Sequence, residues 1–443
     1  MPDHASSADP AVQRQLDRLM ALGPGADVLG LERITRLLAA VGDPQRRLPP
    51  VLHVAGTNGK GSTCAFLRAA IEASGRSAHV YTSPHLVRFN ERIRVAGTLI
   101  DDALLAALLE EVLDAGADVG ASFFEVTTAV AFLAFARTPA DACIVEVGLG
   151  GRLDATNVLP APAATAIAQL GIDHQAFLGD TAEAIAREKA GIAKPGVPLV
   201  TMAYPPAVAE AVAGIAAQAG APLHPRGSDW TFRIEGEHLC YSDARGTVET
   251  PLPALAGPHQ PANLALAIAT LRHQDVVSVP DSAFAAAAAT ARWPARMQQL
   301  RVGPLHAPLP AGTELWLDGG HNPAAADAVA DTIERVAQGR PVHLVLGMLE
   351  NKDAAGLLAP LAPLATSLTA VPVPGHAHHS RAALVEAAHR LEIADTATAP
   401  DVPTALRLLA ARTATAAEPP VVLILGSLYL AGKVLEANDE LPD

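Results

Sequence analysis

The chain has 443 residues, half of them hydrophobic, and a formal net charge of −14. That length exceeds what one hydrophobic core ordinarily organises, so two domains are expected. The acidic balance argues against a nucleic-acid or anionic-membrane partner, because both require a positive footprint.

Alanine is abundant and aromatic residues are scarce, which favours helices packed closely on a sheet. Three widely spaced cysteines, Cys64, Cys143 and Cys240, form no metal motif and read as a reduced, cytoplasmic pattern. Cys64 and Cys143 fall in apolar periodic segments and read as small core residues. MPDHASSADP lacks the basic-then-apolar order of a signal peptide, and no stretch is long and uncharged enough to span a bilayer.

In chain order, Ala11–Leu22 and Leu31–Val41 read as amphipathic helices joined by GPGADVLG. Val51–Ser62, VLHVAGTNGKGS, then reads as strand, phosphate loop and helix, the helix running from Ser62 to about Ala73. Its glycines let backbone N–H groups approach an anion. The helix N-terminus and Lys60 add positive charge. Gly61, however, stands where a serine or threonine hydroxyl ordinarily reaches magnesium, so metal ligands are expected from elsewhere.

Strand Ser77–Tyr81 follows, then TSPHLVRFNERI and helices Asp101–Leu113 and Phe124–Arg137. Strand Ala142–Val147 runs into GLGGRLDATN, and strand Thr165–Gln169 ends at GIDH. Helix Thr181–Ala193, strand Val197–Met202 and helix Pro206–Ala219 continue the alternation. Such alternation implies a mostly parallel sheet covered on both faces. Trp230–Thr250 breaks the rhythm as an antiparallel ribbon, and Gln260–His273 and Ser282–Ala291 return to helix.

The domain boundary is placed near Arg296–Gln299, dividing the chain into 1–296 and 297–443. Beyond it, strands are expected at Glu314–Leu317, Val342–Leu346, Ser367–Val371 and Val421–Leu425. Helices Pro323–Val336, Arg381–Leu391 and Val402–Arg412 lie between them. The fold class is α/β: a phosphate-loop domain with a mostly parallel sheet, followed by a smaller, Rossmann-like α/β domain.

Three polar residues fall at carboxyl ends of expected strands, where open parallel sheets bind ligands: Ser83, Glu146 and His174. Hydroxyl, carboxylate and imidazole together could complete a magnesium site with phosphate and water. A carboxylate in an apolar strand is costly unless paired or metal-bound, and Arg152 is the alternative partner for Glu146. Periodicity alone reads Lys189, in AREKAGI, as solvated on an exposed helix face. The histidines of His376–His379 read as a solvated loop rather than a metal tract.

GTNGKGS, TSPHL with FNERI, EVGLGGRLDATN, GIDH, EKAGI, HQPAN and DGGHNP occur here in one order. That ordered set resembles the folylpolyglutamate synthase/dihydrofolate synthase family, within the wider group of Mur-type ATP-dependent amide ligases. The resemblance extends from LGLER at Leu29–Arg33 to GSLYLAG at Gly426–Gly432. It implies that Asn58, Gly59, Lys60 and Gly61 bind ATP phosphates and that Ser83, Glu146 and His174 match magnesium positions. Lys189 matches a lysine that the family carries as an N-carboxylated side chain.

Asn263, Arg296 and Asp318 match nucleotide contacts. His321 and Ser427 match positions at the glutamate end of the reaction. Leu29, Gly30, Leu31 and Glu32, with Ser122, Phe123, Phe124 and Glu125, and with Leu153, Asp154 and Ala155, match the pterin-side pocket. Three departures stand out: Pro294-Ala295-Arg296 where the family has PGR, Gly320 where it has alanine, and Leu264 after Asn263.

The resemblance implies ATP-dependent ligation of L-glutamate to dihydropteroate, to reduced folates, or to both, through an acyl phosphate. Lys60 and the metal would stabilise the transferring phosphoryl group, and His321 is the candidate base for the amine or a glutamate-positioning residue. A monomer that closes its second domain during turnover is expected. The rivals are a Mur-type ligase for another carboxylate, a P-loop small-molecule kinase, and a nucleotide-dependent binding module.

Overall fold

The computed structural model describes residues 6–22, 29–414 and 418–443. Residues 23–28 of the GPGADVLG linker and the start of MPDHASSADP lie outside the described residues. Two helices lead in, α1 (Pro10–Ala21) and α2 (Glu32–Ala40). Asp9 caps α1 by accepting the amides of Ala11 and Val12, the role of a short polar side chain at a helix start.

Then come β1 (Val51–Ala55), α3 (Lys60–Ala73), β2 (Ala78–Tyr81), β3 (Ile93–Val95), β4 (Thr98–Leu99), α4 (Asp102–Ala115), α5 (Phe123–Arg137) and β5 (Ala142–Glu146). The alternation continues with β6 (Ala164–Ile167), α6 (Gln175–Leu178), α7 (Ala182–Ala190), β7 (Leu199–Thr201), α8 (Pro206–Ala219) and β8 (Leu223–Pro225). The strands form one sheet in the order β4-β3-β2-β5-β1-β6-β7-β8. It is parallel except at the edge where β3 pairs antiparallel with β2 and β4.

All of β1 is buried, as its unbroken apolar run requires in a sheet covered on both faces. β1 has β5 on one side and β6 on the other, so the chain builds outward in one direction and then crosses back. The crevice beyond the carboxyl end of β1 is therefore a topological switch point. Cys64 and Cys143 are fully buried in this unit.

Trp230–Pro251 forms three antiparallel strands, β9 (Trp230–Glu235), β10 (His238–Asp243) and β11 (Gly246–Pro251). Helices α9 (Gln260–Arg272) and α10 (Asp281–Thr290) follow and pack on α3.

Contacts divide the chain into two units. The first comprises Met1–Ala254, Gln260–Arg292 and Asp443; the second comprises Leu255–His259 and Trp293–Pro442. The second unit contains β12 (Gln298–Gln299), β13 (Glu314–Leu317), α11 (Pro323–Ala337), β14 (Val342–Leu346), α12 (Ala354–Leu358) and β15 (Ala365–Ala370). It continues with α13 (Arg381–Arg390), β16 (Thr396–Thr398), α14 (Val402–Thr413), β17 (Val421–Leu425) and α15 (Leu428–Ala437). Its sheet runs β12-β13-β17-β14-β15-β16, parallel apart from β12. Ile333, Leu344, Leu357, Leu384 and Leu423 form part of its own core. Among the described residues no helix is long and apolar enough to cross a membrane.

Candidate active site

The loop after β1 is pinned before any ligand arrives. The amides of Thr57 and Asn58 both donate to the Gln169 carbonyl, at 2.9 Å and 3.1 Å. Thr57 and Gly171 exchange hydrogen bonds: Thr57 Oγ1 donates to the Gly171 carbonyl at 3.0 Å and accepts its amide at 3.1 Å. The phosphate loop and the GIDH segment are thereby one piece.

Gly59 turns the chain into α3 with a φ of 85°, and a Cβ there would lie 2.5 Å from Asn263 Oδ1. Glycine is needed on both counts, conformation and space. Because that turn comes so early, Lys60 is already helical and α3 starts there rather than at Ser62. The same contact places Asn263, on α9, against the loop. Gln260, three residues earlier on that helix, accepts from Asn263 Nδ2 at 3.1 Å and donates to Ser62 Oγ at 3.3 Å. Gln260 stands in HQPAN and was readable as a partner of Asn263 from helical spacing.

Lys60 Nζ donates to the carbonyls of Gly56 and Thr57 at 3.1 Å and 3.3 Å. Lys189 Nζ donates to the same Gly56 carbonyl at 2.9 Å. Periodicity had read Lys189 as solvated; it is instead buried, with 4 % of its surface exposed. The reason is tertiary: the last turn of α7 lies under the GLGGR loop. A Cβ on Gly151 would sit 2.8 Å from the carbonyl oxygens of Glu188 and Lys189, and Arg152 N donates to Glu188 O at 2.7 Å. Burial first, and the Lys60 charge second, bring the Lys189 pKa down to about 7.

Strand order puts the strands that precede the candidate metal residues on one stretch of the sheet. Ser83 follows β2, Glu146 ends β5 and His174 follows β6, and with β1 these strands are consecutive in the sheet. Glu146 is buried in register with Val54, while His174 is exposed and adopts a left-handed φ of 53°. The Cys64 thiol, one turn into α3, is pushed up by burial and by the Glu146 carboxylate, with Lys60 opposing. Carboxylate and ammonium thus both lie near the start of α3. Arg152, the alternative partner considered for Glu146, donates instead to Glu188 Oε1 at 2.8 Å.

The three segments that the resemblance assigns to the pterin side also converge, since α2, α5 and the short turn Ala155–Val158 pack on one another. Arg33 Nε donates to Glu125 Oε2 at 3.0 Å, tying α2 to α5. The same Glu125 oxygen accepts Ser122 N at 2.6 Å, and Ser122 Oγ caps α5 by accepting Glu125 N at 3.3 Å. Phe123 and Phe124 are half-buried at that helix start, and Leu31 precedes the first turn of α2. Leu29 and Gly30 are half-buried and Glu32 is exposed.

Asp154 is buried beside half-buried Leu153 and buried Ala155. Its carboxylate accepts Leu149 N at 2.8 Å and Thr156 N at 3.0 Å, and burial raises its pKa. Glu125 and Asp154 therefore fix the backbone of the segments around them.

In the second unit, Asp318, His321 and Ser427 follow β13 and β17, which are neighbours. Asp318 is buried and accepts Met297 N at 2.7 Å and Gly320 N at 2.6 Å; burial raises its pKa, with Arg296 opposing. A Cβ on Gly319 would lie 2.8 Å from Arg296 Nη1 and 2.2 Å from Leu428 Cδ2, so these pieces meet beyond the carboxyl ends of β13 and β17. Where the family has alanine, a Cβ on Gly320 would come 2.7 Å from Asp318 Oδ1, and glycine lets that carboxylate turn back onto its own loop.

His321 Nδ1 donates to the Gly319 carbonyl at 2.9 Å. Ser427 caps α15, accepting Tyr429 N at 3.2 Å. The histidine tract is occupied structurally: His376 stacks on Tyr429, and His379 Nε2 lies 2.8 Å from the Lys352 carbonyl. Among the described residues no group of three or more His, Cys, Asp or Glu is arranged to hold a metal.

A phosphate loop at the switch point of a parallel sheet, followed by a second α/β unit, is the architecture expected of a Mur-type ligase. The Mur ligase, glutamate ligase domain family matches residues 296–428. The dihydrofolate synthase/folylpolyglutamate synthase of Escherichia coli (strain K12) is 36% identical over 348 residues, 78% of this chain and 78% of that protein. E. coli FolC in complex with DHPP and ADP superposes with a TM-score of 0.86 at 33% identity, covering 99% of each chain. A bifunctional folylpolyglutamate synthase/dihydrofolate synthase with Mn, AMPPNP and L-glutamate bound gives 0.83 at 32% identity, over 98% of this chain and 99% of that one. The chain belongs to the dihydrofolate synthase/folylpolyglutamate synthase family and is an enzyme of the acid–amino-acid ligase class.

Proposed function

We propose that this chain uses ATP to join the amine of L-glutamate to a carboxyl group of dihydropteroate, of reduced folates, or of both, releasing ADP and phosphate. The observation that carries the reading is the convergence of Lys60 and Lys189 on the Gly56 carbonyl, inside a loop braced by Asn263. Related proteins bind ADP with DHPP, and AMPPNP with Mn and L-glutamate.

A carboxylate and an amine do not condense unaided at neutral pH, because oxide is a poor leaving group. Attack of the pterin carboxylate on the γ-phosphate gives an acyl phosphate and ADP. Attack of the neutral glutamate amine on the acyl carbon then expels phosphate. Lys60 and the amides of Asn58 to Gly61 stabilise the phosphoryl oxygens. Asn263, Arg296 and Asp318 hold the nucleotide. His321 accepts the amine proton or orients the amino acid, and Ser427 binds at the glutamate end.

Ser83, Glu146 and His174 would hold a divalent cation, and their hydroxyl, carboxylate and imidazole suit a hard ion that keeps its other positions for phosphate and water. Such an ion offsets phosphate charge. Lys189, with a pKa near 7, has the neutral amine that adds carbon dioxide to form a carbamate. Carboxylation would turn a repelled cation beside Lys60 into an attracted anion.

An ADP-release assay with glutamate, comparing dihydropteroate with reduced folates, tests the reading. ADP release should require the pterin carboxylate and rise with glutamate. Release independent of any amine, with a stable phosphorylated product, would instead establish a kinase.

A further inference from the structure

Arg296 sits between two residues with left-handed backbone, Ala295 with a φ of 54° and Met297 with a φ of 40°. Neither is glycine, and residues with a Cβ adopt this region only at a steric cost. Two side chains hold the strained amides. Gln298 Oε1 accepts Ala295 N at 2.9 Å, and Asp318 Oδ2 accepts Met297 N at 2.7 Å. The Ala295 carbonyl in turn accepts Gly319 N and Arg296 Nη1, each at 2.9 Å. The guanidinium is thus folded onto a turn that its neighbours hold in shape.

Gln298 is itself fixed from the far end of the sequence. Its Nε2 donates to Glu440 Oε1 at 2.8 Å. Glu440 is buried, and its Oε2 accepts Arg301 N at 3.0 Å and Asn438 Nδ2 at 3.2 Å. Asn438 Nδ2 also donates to the Arg301 carbonyl at 2.9 Å, and its Oδ1 accepts Leu305 N at 3.2 Å. The residues leaving α15 are laced in this way to the segment that begins with Arg296. All these partners lie in the second unit.

We propose that Gln298 and Glu440 are positioning residues for Arg296, and that this clamp from the chain's last residues sets the enzyme's affinity for the adenine nucleotide. The proposal rests on the reading of Arg296 as a nucleotide contact. A guanidinium ordered before the ligand arrives loses less freedom on binding, and the clamp supplies that order. Released from Gln298, Ala295 would relax out of the left-handed region and carry Arg296 with it.

The full-length protein, titrated with ADP by calorimetry and assayed for KM against each substrate, tests this. Gln298→Ala should weaken ADP binding about tenfold and raise KM for ATP in step, leaving KM for glutamate unchanged. Glu440→Ala should act in the same direction, and it carries the test if Gln298→Ala does not fold. Glu440→Gln keeps an acceptor for Gln298 but turns an amide NH2 toward the Arg301 N and Asn438 Nδ2 donors, so it should weaken ADP binding in the same direction as Glu440→Ala. The decisive variant is Gln298→Ala combined with Ala295→Gly: glycine adopts the left-handed turn without steric cost, so ADP affinity should return.

Loss of melting temperature with unchanged ADP affinity in Gln298→Ala and Glu440→Ala would make the clamp purely structural and overturn the proposal. Failure of Ala295→Gly to restore affinity would overturn the strained-turn argument. Arg296→Ala separates the two layers. If it too leaves ADP binding untouched, the nucleotide reading of Arg296 falls; if it alone weakens binding, only the clamp falls.

Discussion

Lys60 and Lys189 meet on one oxygen, the Gly56 carbonyl, which accepts from the first at 3.1 Å and from the second at 2.9 Å. Two positive charges that share an acceptor repel, and burial adds to that cost at Lys189. The Gly56 carbonyl therefore links Lys60 to a nitrogen on α7 whose pKa is brought down to about 7.

Lys60→Ala should abolish ADP formation while circular dichroism and the thermal transition stay close to those of the parent. The same substitution should raise the Lys189 pKa above about 7, because a neighbouring positive charge is removed. Full turnover by this variant would remove the phosphate loop from the mechanism.

Lys189 gives two readouts. In bicarbonate-free buffer its folded pKa, about 7, lies below the unfolded value of 10.5. Between these values the unfolded chain binds the proton that the native chain has released, so stability rises with pH, by at most about 1.4 kcal/mol per pH unit. Lys189→Met should flatten that slope in denaturant titrations across this range. With 13C-bicarbonate the parent should show a carbamate resonance absent from Lys189→Ala. That variant should lose activity that bicarbonate does not restore and that small carboxylates partly recover. A parent without the resonance would refute carboxylation.

Gly151→Ala should inactivate the enzyme without altering any group that touches substrate. The new methyl would lie 2.8 Å from the carbonyl oxygens of Glu188 and Lys189, and backbone cannot swing aside as a side-chain tip does. The expected destabilisation is on the order of 1–3 kcal/mol, with α7 and Lys189 displaced from Gly56. Unchanged kcat and an unchanged melting temperature would show that the GLGGR loop does not position Lys189.

His53, in the middle of β1, should make the fold acid-sensitive. Thr156 Oγ1 donates to Asp154, so it accepts from His53 Nε2 at 2.8 Å, and Nδ1 is the unprotonated nitrogen. Burial, with Lys194 nearby, lowers the His53 pKa to about 3. Between about 6.5 and 3 the unfolded chain binds a proton that the native chain refuses, so stability falls as pH drops through this window. His53→Gln, which retains a donor toward Thr156, should reduce that loss in urea titrations at pH 6.5 and pH 4. Equal acid sensitivity in both proteins would assign it elsewhere.

The order of strands and helices was legible along the chain because each element announces itself locally. Val51–Ala55, Pro206–Ala219 and Glu314–Leu317 have the bounds that their apolar patterns predict. β16 and α12 were missed, since three or five residues are too few to show a period, and α15 has no break separating it from GSLYLAG. The phosphate loop and the ordered motifs were equally plain, as glycines and polar groups at fixed spacings.

What the sequence determined by itself was therefore the α/β class, the phosphate loop and the family, all of which depend on near neighbours in the chain. Only the tertiary structure decided what surrounds each side chain. It buried Lys189 against Gly56, turned Arg152 toward Glu188 instead of Glu146, and set Glu440 behind Gln298. Burial and charge pairing arise from segments far apart in sequence, and helical or strand periodicity carries no information about which distant backbone will come to cover a given face.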